Sequence, residues 1–289
     1  NSLLMKKVFT LALVMAMAVT GFAQVKGISR KSVKAEPRQA VTVTGMEENN
    51  TSFPASTRSI MTAPEEFELS FSSYDWQSNA AARNFTAVWP DGFAVMCYTQ
   101  ATAQAFGDRG TGLAIWDPAV GEWEFTESRV EGIKTGFGSI ARYKENGLVV
   151  AAHTANDLRI FLVEDFREGN RDFGEGITLP MASGVDGTHP AVQCSGENLD
   201  IIHVLAANFQ NATPYYNEAI FYWRYENAEW TKQCELLPNL DADHVTDGGT
   251  NNYVFLHYDP ANPNRVAFTL TTPRADGKVV VSEDNGDSW

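Results

Sequence analysis

Cysteine is scarce in this chain, and its few positions exclude the usual metal and disulfide frameworks. The 289 residues include three cysteines, Cys97, Cys194 and Cys234. No two of them have the short spacing of a zinc site, and an odd number leaves at least one thiol without a partner in the chain. Cys194 and Cys234 are the pair closest in sequence. The alternatives are therefore one bridge between these two or free thiols, which are often buried.

Positive charge is also scarce. Lysine and arginine together number 22 against 36 acidic residues, which gives a formal net charge of −14. Because an acidic surface repels phosphate backbones and anionic lipid headgroups, the composition argues against nucleic acid and membrane surfaces as partners. Bound cations or basic proteins are compatible with it, although solubility alone explains the acidity.

Long apolar runs are absent after the first segment. Lys6 and Lys7 precede an apolar run from Val8 to Val19, and small residues follow up to Ala23. This order is typical of a secretory signal cleaved near Ala23, and about 12 apolar residues are too few to span a bilayer. We predict an exported chain, secreted or at the cell surface or in the periplasm, with no transmembrane segment after cleavage. The predicted divisions are 1–23 (upstream residues and signal peptide), 24–66 (flexible leader or linker) and 67–289 (the folded domain).

Helical periodicity is almost absent from the folded domain, which instead shows short alternating strands separated by turn residues. The first strands of successive cycles contain Val88, Ile140, Val192 and Val254, which are 52, 52 and 62 residues apart. Repeats of about 40 to 60 residues with four strands each are typical of propeller blades. The pattern predicts an all-β protein, a β-propeller with four-stranded antiparallel blades; a β-sandwich is the alternative.

A tight hairpin turn closes the sequence. Gly286 can adopt a positive φ without steric cost, and Trp289 offers a large apolar surface just after the turn. The same seven-residue step to a Trp occurs twice earlier, from Trp116 to Trp123 and from Trp223 to Trp230, which suggests one hairpin used repeatedly. The last residues fit the pattern S-x-D-x-G-x-[ST]-W at every fixed position: Ser282, Asp284, Gly286, Ser288 and Trp289.

On these residues the chain resembles the Asp-box, or neuraminidase-repeat, β-propellers of the sialidase-like superfamily. In that family the motif is a structural turn on the outer part of a blade, away from the active site. The resemblance therefore implies a fold and says little about activity. Trp289 stands where the last strand of a fourth blade is expected to begin, so we expect an incomplete ring of about four blades.

Candidate binding residues come from loops expected to face the central channel. Asp186 and His189 place a carboxylate and an imidazole just before an inner strand, and the alternative is a turn with a hydrogen-bonded histidine. His244 and Asp247 belong to the loop before the fourth cycle. Arg142, near the end of a first strand, suits recognition of a carboxylate. We predict these five residues as ligand contacts.

The loop from Asp241 to Asn252 is rich in oxygen donors. Asp241, Asp243 and Asp247 could contribute carboxylates to calcium, although the spacing is not that of an EF-hand. A solvated loop is the alternative. Calcium is the one cofactor that the sequence suggests.

Catalytic motifs are not visible: the chain has no G-x-S-x-G, H-E-x-x-H or P-loop pattern. Sialidases require an arginine triad, a tyrosine nucleophile paired with a glutamate, and an acidic aspartate. The family's Arg-Ile-Pro pattern is missing, because Phe161 follows Arg159 and Ile160. The favoured function is a non-catalytic binding or interaction module of a bacterial surface or secreted protein, with glycans or proteins as partners. The alternative is a sialidase-type exo-glycosidase or another glycan-active propeller enzyme.

Overall fold

The structure, a computed structural model, describes residues 72–74, 84–103, 105–208, 219–237, 253–272 and 275–289, which fold mainly into β-strands. These residues contain fifteen strands and one short 3₁₀ turn at Phe166–Glu168. The strands are β1 (Thr86–Val88), β2 (Ala94–Gln100), β3 (Gly110–Asp117), β4 (Glu122–Phe125), β5 (Gly136–Tyr143), β6 (Gly147–His153), β7 (Leu158–Val163), β8 (Ile177–Thr178), β9 (Gly187–Ser195), β10 (Ile201–Asn208), β11 (Ile220–Glu226), β12 (Glu229–Leu236), β13 (Tyr253–Tyr258), β14 (Val266–Thr272) and β15 (Ala275–Ser282).

Strands that follow one another in sequence pair with one another in four separate sheets. The first sheet has the order β1-β2-β3-β4, the second β5-β6-β7-β8, the third β9-β10-β11-β12, and the fourth β13-β14-β15. Neighbouring strands are antiparallel in all four. The predicted all-β propeller of four-stranded antiparallel blades is confirmed, with three strands described in the fourth blade.

The second and third sheets bury both of their faces. Ile140 and Ala141 are neighbours on β5, yet Ile140 belongs to the core shared with the first sheet and Ala141 to the core shared with the third. On β10, Val204 faces the second sheet and Leu205 faces the fourth. Since successive strand residues point to opposite faces, a strand covered on both sides must be apolar along its covered part, as residues 147–152 of β6 are.

The first strands of the sheets lie together on the inside of the assembly. The carbonyl of Asn84, just before β1, accepts a hydrogen bond from the Ile140 N–H at 2.8 Å, and the Asn84 side-chain amide donates to the Leu256 carbonyl at 2.9 Å. The Ser139 hydroxyl accepts from the Val192 N–H at 3.2 Å. These bonds link β5, β9 and β13 around one line, from which the sheets extend outward. Ile140 and Val192 are fully buried there.

The first and fourth sheets each leave one face in solvent. Val88 is 58% exposed, although the spacing of the repeats groups it with the fully buried Ile140 and Val192. The reason is that the first sheet contacts a neighbouring sheet through its other face, where Ala87 packs. Val279, on the open face of the fourth sheet, is 69% exposed.

The two Trp-to-Trp hairpins differ in register. Trp116 and Trp123 are direct cross-strand partners, and their ring centroids are 5.6 Å apart. Trp230 instead pairs with Tyr225, because the turn between β11 and β12 is only two residues long. The expectation of one hairpin used repeatedly is therefore wrong for this pair.

The turn from Ser282 to Trp289 is held by its own side chains. The Ser282 hydroxyl accepts from the Gly286 N–H at 2.7 Å, and Asp284 accepts from the Ser288 N–H at 2.8 Å and from the Ser288 hydroxyl at 2.6 Å. The Ser288 bonds in particular lower the pKa of Asp284 to about 2. Gly286 has a φ of +85°, as predicted for this turn. Trp289 packs against Tyr222 and Phe268 with ring centroids 5.3 Å away from each.

The three cysteines are free. Cys194 is fully buried between the second and third sheets, and Cys234 packs partly buried against the same core. Of the two alternatives drawn from the sequence, the structure shows unbridged thiols.

No helix in the described part of the chain combines the length and the apolar character needed to cross a membrane.

Candidate functional site

Two of the inner strands begin with a bulge that carries a large side chain. Phe137 on β5 and His189 on β9 have φ values of +53° and +51°, in the left-handed region that such residues rarely adopt. The pairing of both strands with their neighbours is irregular at this point. A bulge redirects a side chain relative to a regular strand. Because Phe137 and His189 are 52 residues apart, the same irregularity recurs at the repeat spacing.

The bulges bring an aromatic ring and two imidazoles together. The centroid of the Phe137 ring lies 4.9 Å from that of His189 and 5.3 Å from that of His153, and the two histidine rings are 5.5 Å apart. Phe137 is buried, whereas both histidines are partly exposed. The Thr188 hydroxyl lies 2.9 Å from His189 Nδ1. A partly open surface of one ring and two imidazoles results at this end of β5, β6 and β9.

An arginine and two more rings extend this surface. The Arg109 guanidinium carbon lies 5.6 Å from the ring centres of both Tyr74 and Phe137, and Arg109 Nε donates to the Thr135 carbonyl at 2.9 Å. Tyr74 also contacts Phe106 edge-on, with centroids 5.1 Å apart. We call these residues the strand-start cluster: Tyr74, Phe106, Arg109, Phe137, His153 and His189.

Asp186 lies at the same end of the sheets as His189. Its N–H donates to the Asn208 side-chain oxygen at 3.1 Å, which ties the loop to the end of β10, and its carboxylate is exposed. The structure thus places Asp186 and His189 at one end of β9, as the sequence predicts. Whether they contact a ligand stays a prediction.

Arg142 lies elsewhere. It is five residues beyond Phe137 on β5, or about 16 Å along an extended strand, at the opposite end of the inner strands. The structure does not bring it together with Asp186 and His189.

The remaining predicted residues lie outside the described residues: His244 and Asp247 as ligand contacts, and Asp241, Asp243 and Asp247 as calcium ligands. Among the described residues, no group of three or more His, Cys, Asp or Glu side chains could hold a metal ion. The calcium site stays a prediction.

Sequence reasoning missed most of the strand-start cluster. The loop around Phe137 was expected to face the channel. Arg109 lies just before β3, in a different sheet from Phe137, whereas His153 lies at the end of β6, which pairs with β5. The sequence signal that could have revealed the cluster is the 52-residue step from Phe137 to His189. Phe137 is flanked by glycines, and His189 is followed by a proline.

A second histidine site, also missed, is fully buried. The Ser195 hydroxyl lies 2.7 Å from His203 Nε2, and the Tyr222 hydroxyl lies 2.8 Å from His203 Nδ1. Burial lowers the pKa of His203 to about 3, so the imidazole is neutral at physiological pH. A serine beside a histidine can be a nucleophile and its base, but these side chains are inaccessible to substrate. Ser195 also donates to the Asn285 side-chain oxygen at 2.8 Å, which indicates a structural role.

Comparisons with solved structures return proteins of low similarity. The N-acetylgalactosamine deacetylase from F. plautii, solved with blood group B trisaccharide, is 12% identical over 74% of this chain and 70% of that chain, with a TM-score of 0.45. A Hadza microbial sialidase is 13% identical over 71% of this chain and 43% of its own, with a TM-score of 0.44. The Aleuria aurantia lectin with α-methyl-L-fucoside is 13% identical over 70% of this chain and 61% of its own, with a TM-score of 0.42.

The chain thus spans less than two thirds of the length of the sialidase and of the lectin. No protein-family model matches the chain, and no curated protein matches it either. Similarity at this level assigns neither a ligand nor an activity to the chain.

Proposed function

We propose that this chain is a non-catalytic, exported β-propeller module that binds a glycan at the strand-start cluster. The observation that supports this proposal most is the convergence of Phe137, His153 and His189 within 5.5 Å at one end of the inner strands. Aromatic and imidazole rings can stack on the apolar face of a sugar, and imidazole and guanidinium nitrogens can hydrogen-bond its hydroxyls. Arg109, held over two of the rings, supplies such donors.

An alternative function is that of a sialidase-type exo-glycosidase or another glycan-active propeller enzyme. The observation that favours it is the position of Arg109 next to Tyr74, since a guanidinium can grip a substrate carboxylate beside a phenol. Under this alternative the cluster turns over its ligand rather than only holding it.

The test compares the chain with the variant His189→Asn on a glycan array and with fluorogenic glycosides. Asn tolerates the left-handed backbone of this position, so the substitution removes the imidazole without adding strain. We expect a glycan that wild type binds to bind the variant at least about tenfold more weakly, with unchanged melting temperature. His257→Asn, on the open face of the fourth sheet, is the matched control and should bind as wild type does.

Binding without turnover supports the module, and turnover lost in His189→Asn supports the enzyme. If His189→Asn binds every glycan as well as His257→Asn does, the cluster is not the binding site and the proposal fails.

Two finer identifications belong to the same proposal. We infer that the turn from Ser282 to Trp289 is an Asp-box with a purely structural role, supported by its fit to the motif and by the hydrogen bonds within the turn.

The proposal of export rests on the signal pattern that ends near Ala23. N-terminal sequencing of the secreted protein tests it, because an unprocessed chain contradicts export.

A further inference from the structure

Arg142 lies at the end of the inner strands opposite to the strand-start cluster. Its guanidinium carbon is 5.5 Å from the ring centre of Trp89, whose indole N–H donates to the Glu145 carbonyl at 2.8 Å. Burial lowers the pKa of Arg142, which nevertheless remains a cation at any physiological pH. The residue is therefore a partly buried positive charge that lies over an aromatic ring.

The Arg142 guanidinium has no hydrogen-bond or ion-pair partner among the residues that the structure describes, and its Nε is buried without an acceptor. Every other arginine in the same part of the chain donates to a carbonyl or a carboxylate. These arginines are Arg109, Arg129, Arg159, Arg167, Arg171, Arg224 and Arg265. An acceptor from outside the chain would satisfy the buried Nε and neutralise the charge of this partly buried guanidinium.

A cavity of about 500 Å³ lies beside Arg142. The turn between β5 and β6 and the turn between β9 and β10 form its walls, and the Lys144 N–H donates to the Leu199 carbonyl at 3.1 Å to hold the two turns together. This volume is in the range of small-ligand pockets. The lining residues are Arg142, Lys144, Glu145, Glu197, Asn198, Leu199 and Asp200.

We propose that this cavity is a second ligand site, in which Arg142 binds the carboxylate of an acidic saccharide such as a uronic acid. A carboxylate matches the planar fork of a guanidinium and would neutralise the unpartnered charge. The site lies at the other end of the inner strands from the strand-start cluster, so it goes beyond the proposed function and does not depend on it.

The acidic side chains of the lining restrict the ligand class. Glu197 and Asp200 would repel a small, multiply charged anion such as phosphate. The same carboxylates accept hydrogen bonds from hydroxyl groups, and the Asn198 amide can donate as well as accept. A ligand with one carboxylate and several hydroxyls satisfies both sets of groups, whereas a neutral sugar leaves the guanidinium unpaired.

The test uses two probes that differ by the carboxylate, D-glucuronate and D-glucose, with binding followed by ligand-observed NMR on the full chain. We expect glucuronate to bind at least about tenfold more tightly than glucose. Arg142→Met keeps an apolar side chain on Trp89 but removes the donors, and it should lose at least about tenfold in affinity for glucuronate. Inorganic phosphate should compete with glucuronate weakly.

Arg265→Met is the matched control, because this exposed arginine lies at the same end of the sheets and its loss changes the charge equally. It should bind glucuronate as wild type does. His189→Asn should do so too, because any loss of glycan binding in that variant concerns the strand-start cluster and not the cavity beside Arg142. Arg142→Lys keeps the charge without the fork and should weaken binding while preserving the fold, which covers the case of a poorly folded Arg142→Met. Equal binding of the two probes, or unchanged glucuronate affinity in folded Arg142 variants, would overturn the proposal.

Discussion

The interface between the second and third sheets and the interface between the third and fourth sheets are built differently. The former is apolar, with Ile160 and Val204 among its fully buried residues and Trp223 at its centre. The latter also has an apolar core, but a chain of buried polar groups runs beside it, from Ser195 through His203 to Tyr222.

The polar chain extends across the interface to the last turn. Ser195 reaches the Asn285 side chain, and Arg224 donates to the Asn285 carbonyl at 3.0 Å and to Asp287 at 2.8 Å. Apolar contacts are non-directional, whereas hydrogen bonds require particular atoms at particular positions. The interface between the second and third sheets (the second interface) therefore supplies stability through buried apolar area. The interface between the third and fourth sheets (the third interface) fixes the position of the terminal turn, and it is more sensitive to pH and to small steric changes.

The largest expected effect is at the apolar interface. Trp223 is fully buried and its indole N–H donates to the Pro180 carbonyl at 2.7 Å. Trp223→Ala leaves a large cavity and an unpaired carbonyl, so we expect the free energy of unfolding to fall by about 3–5 kcal/mol. Trp123→Ala, on the partly exposed outer strand of the first sheet, is the control, with an expected loss of about 1 kcal/mol. Urea denaturation of both variants checks this, and equal losses would remove the distinction between the sites.

The next effect is steric and falls on the third interface. A Cβ at Gly286 would collide with the Tyr222 hydroxyl, and the φ of +85° at this position disfavours any side chain. We expect Gly286→Ala to lower the free energy of unfolding by about 2–4 kcal/mol, from backbone strain and overpacking together. Gly92→Ala isolates the strain, because Gly92 has a φ of +89° with nothing near its missing Cβ, and it should cost about 1 kcal/mol. If the two substitutions cost the same, the turn does not press on Tyr222.

The third effect separates the interfaces by pH. Burial, with a smaller contribution from Arg224, holds the pKa of His203 at about 3, below its value of 6.5 in the unfolded chain. The stability from His203 is therefore full above pH 6.5 and is lost as the pH falls towards 3, because only the unfolded chain takes up the proton.

We expect His203→Gln to cost about 1–3 kcal/mol at pH 7, since Ser195 and Tyr222 lose their shared partner. Below pH 6.5 the difference from wild type should narrow by up to about 1.4 kcal/mol per pH unit. Ile160→Val at the apolar interface should cost about 0.5–1.5 kcal/mol at every pH. Urea denaturation between pH 7 and pH 5 measures both, and a constant difference for His203→Gln would contradict the assignment.

Much of the fold could be predicted from the sequence, because strand alternation and turn residues act locally. The runs around Ile140 and Val192 and the turn at Gly286 were recognisable for this reason. The exposure of Val88 was not, since it depends on whether a neighbouring sheet covers that face. The repeat spacing indicates where successive strands lie in the sequence, but it does not indicate which sheet has one face without a neighbouring sheet.

The sites were less predictable because they combine distant residues. Arg109, His153 and His189 belong to three hairpins, and only the packing of the sheets brings them together. His203 lies in the apolar run of β10, where its sequence context suggests ordinary core. Its partner Tyr222 is set by strand register, and Ser195 reaches Asn285 across 90 residues. Arg142, predicted as a ligand contact from its residue type, proved to be at the other end of the inner strands.

The smallest expected effect has the opposite sign and tests whether every buried polar group stabilises. Glu131, in the connection between the first and second sheets, is 3% exposed and accepts from the Thr111 N–H at 2.9 Å and the Thr135 hydroxyl at 2.8 Å. Burial raises its pKa, so the stability it contributes is present in acid and is lost as the pH rises through the folded-state pKa. Glu131→Gln keeps an acceptor for the Thr111 N–H without the charge. We expect the variant to be about 1 kcal/mol more stable than wild type at pH 7 and no more stable at pH 4, measured by urea denaturation. A loss of stability at pH 7 would show that the hydrogen bonds from Thr111 and Thr135 compensate for burying the charged carboxylate, so that Glu131 stabilises the fold as the polar groups of the third interface do.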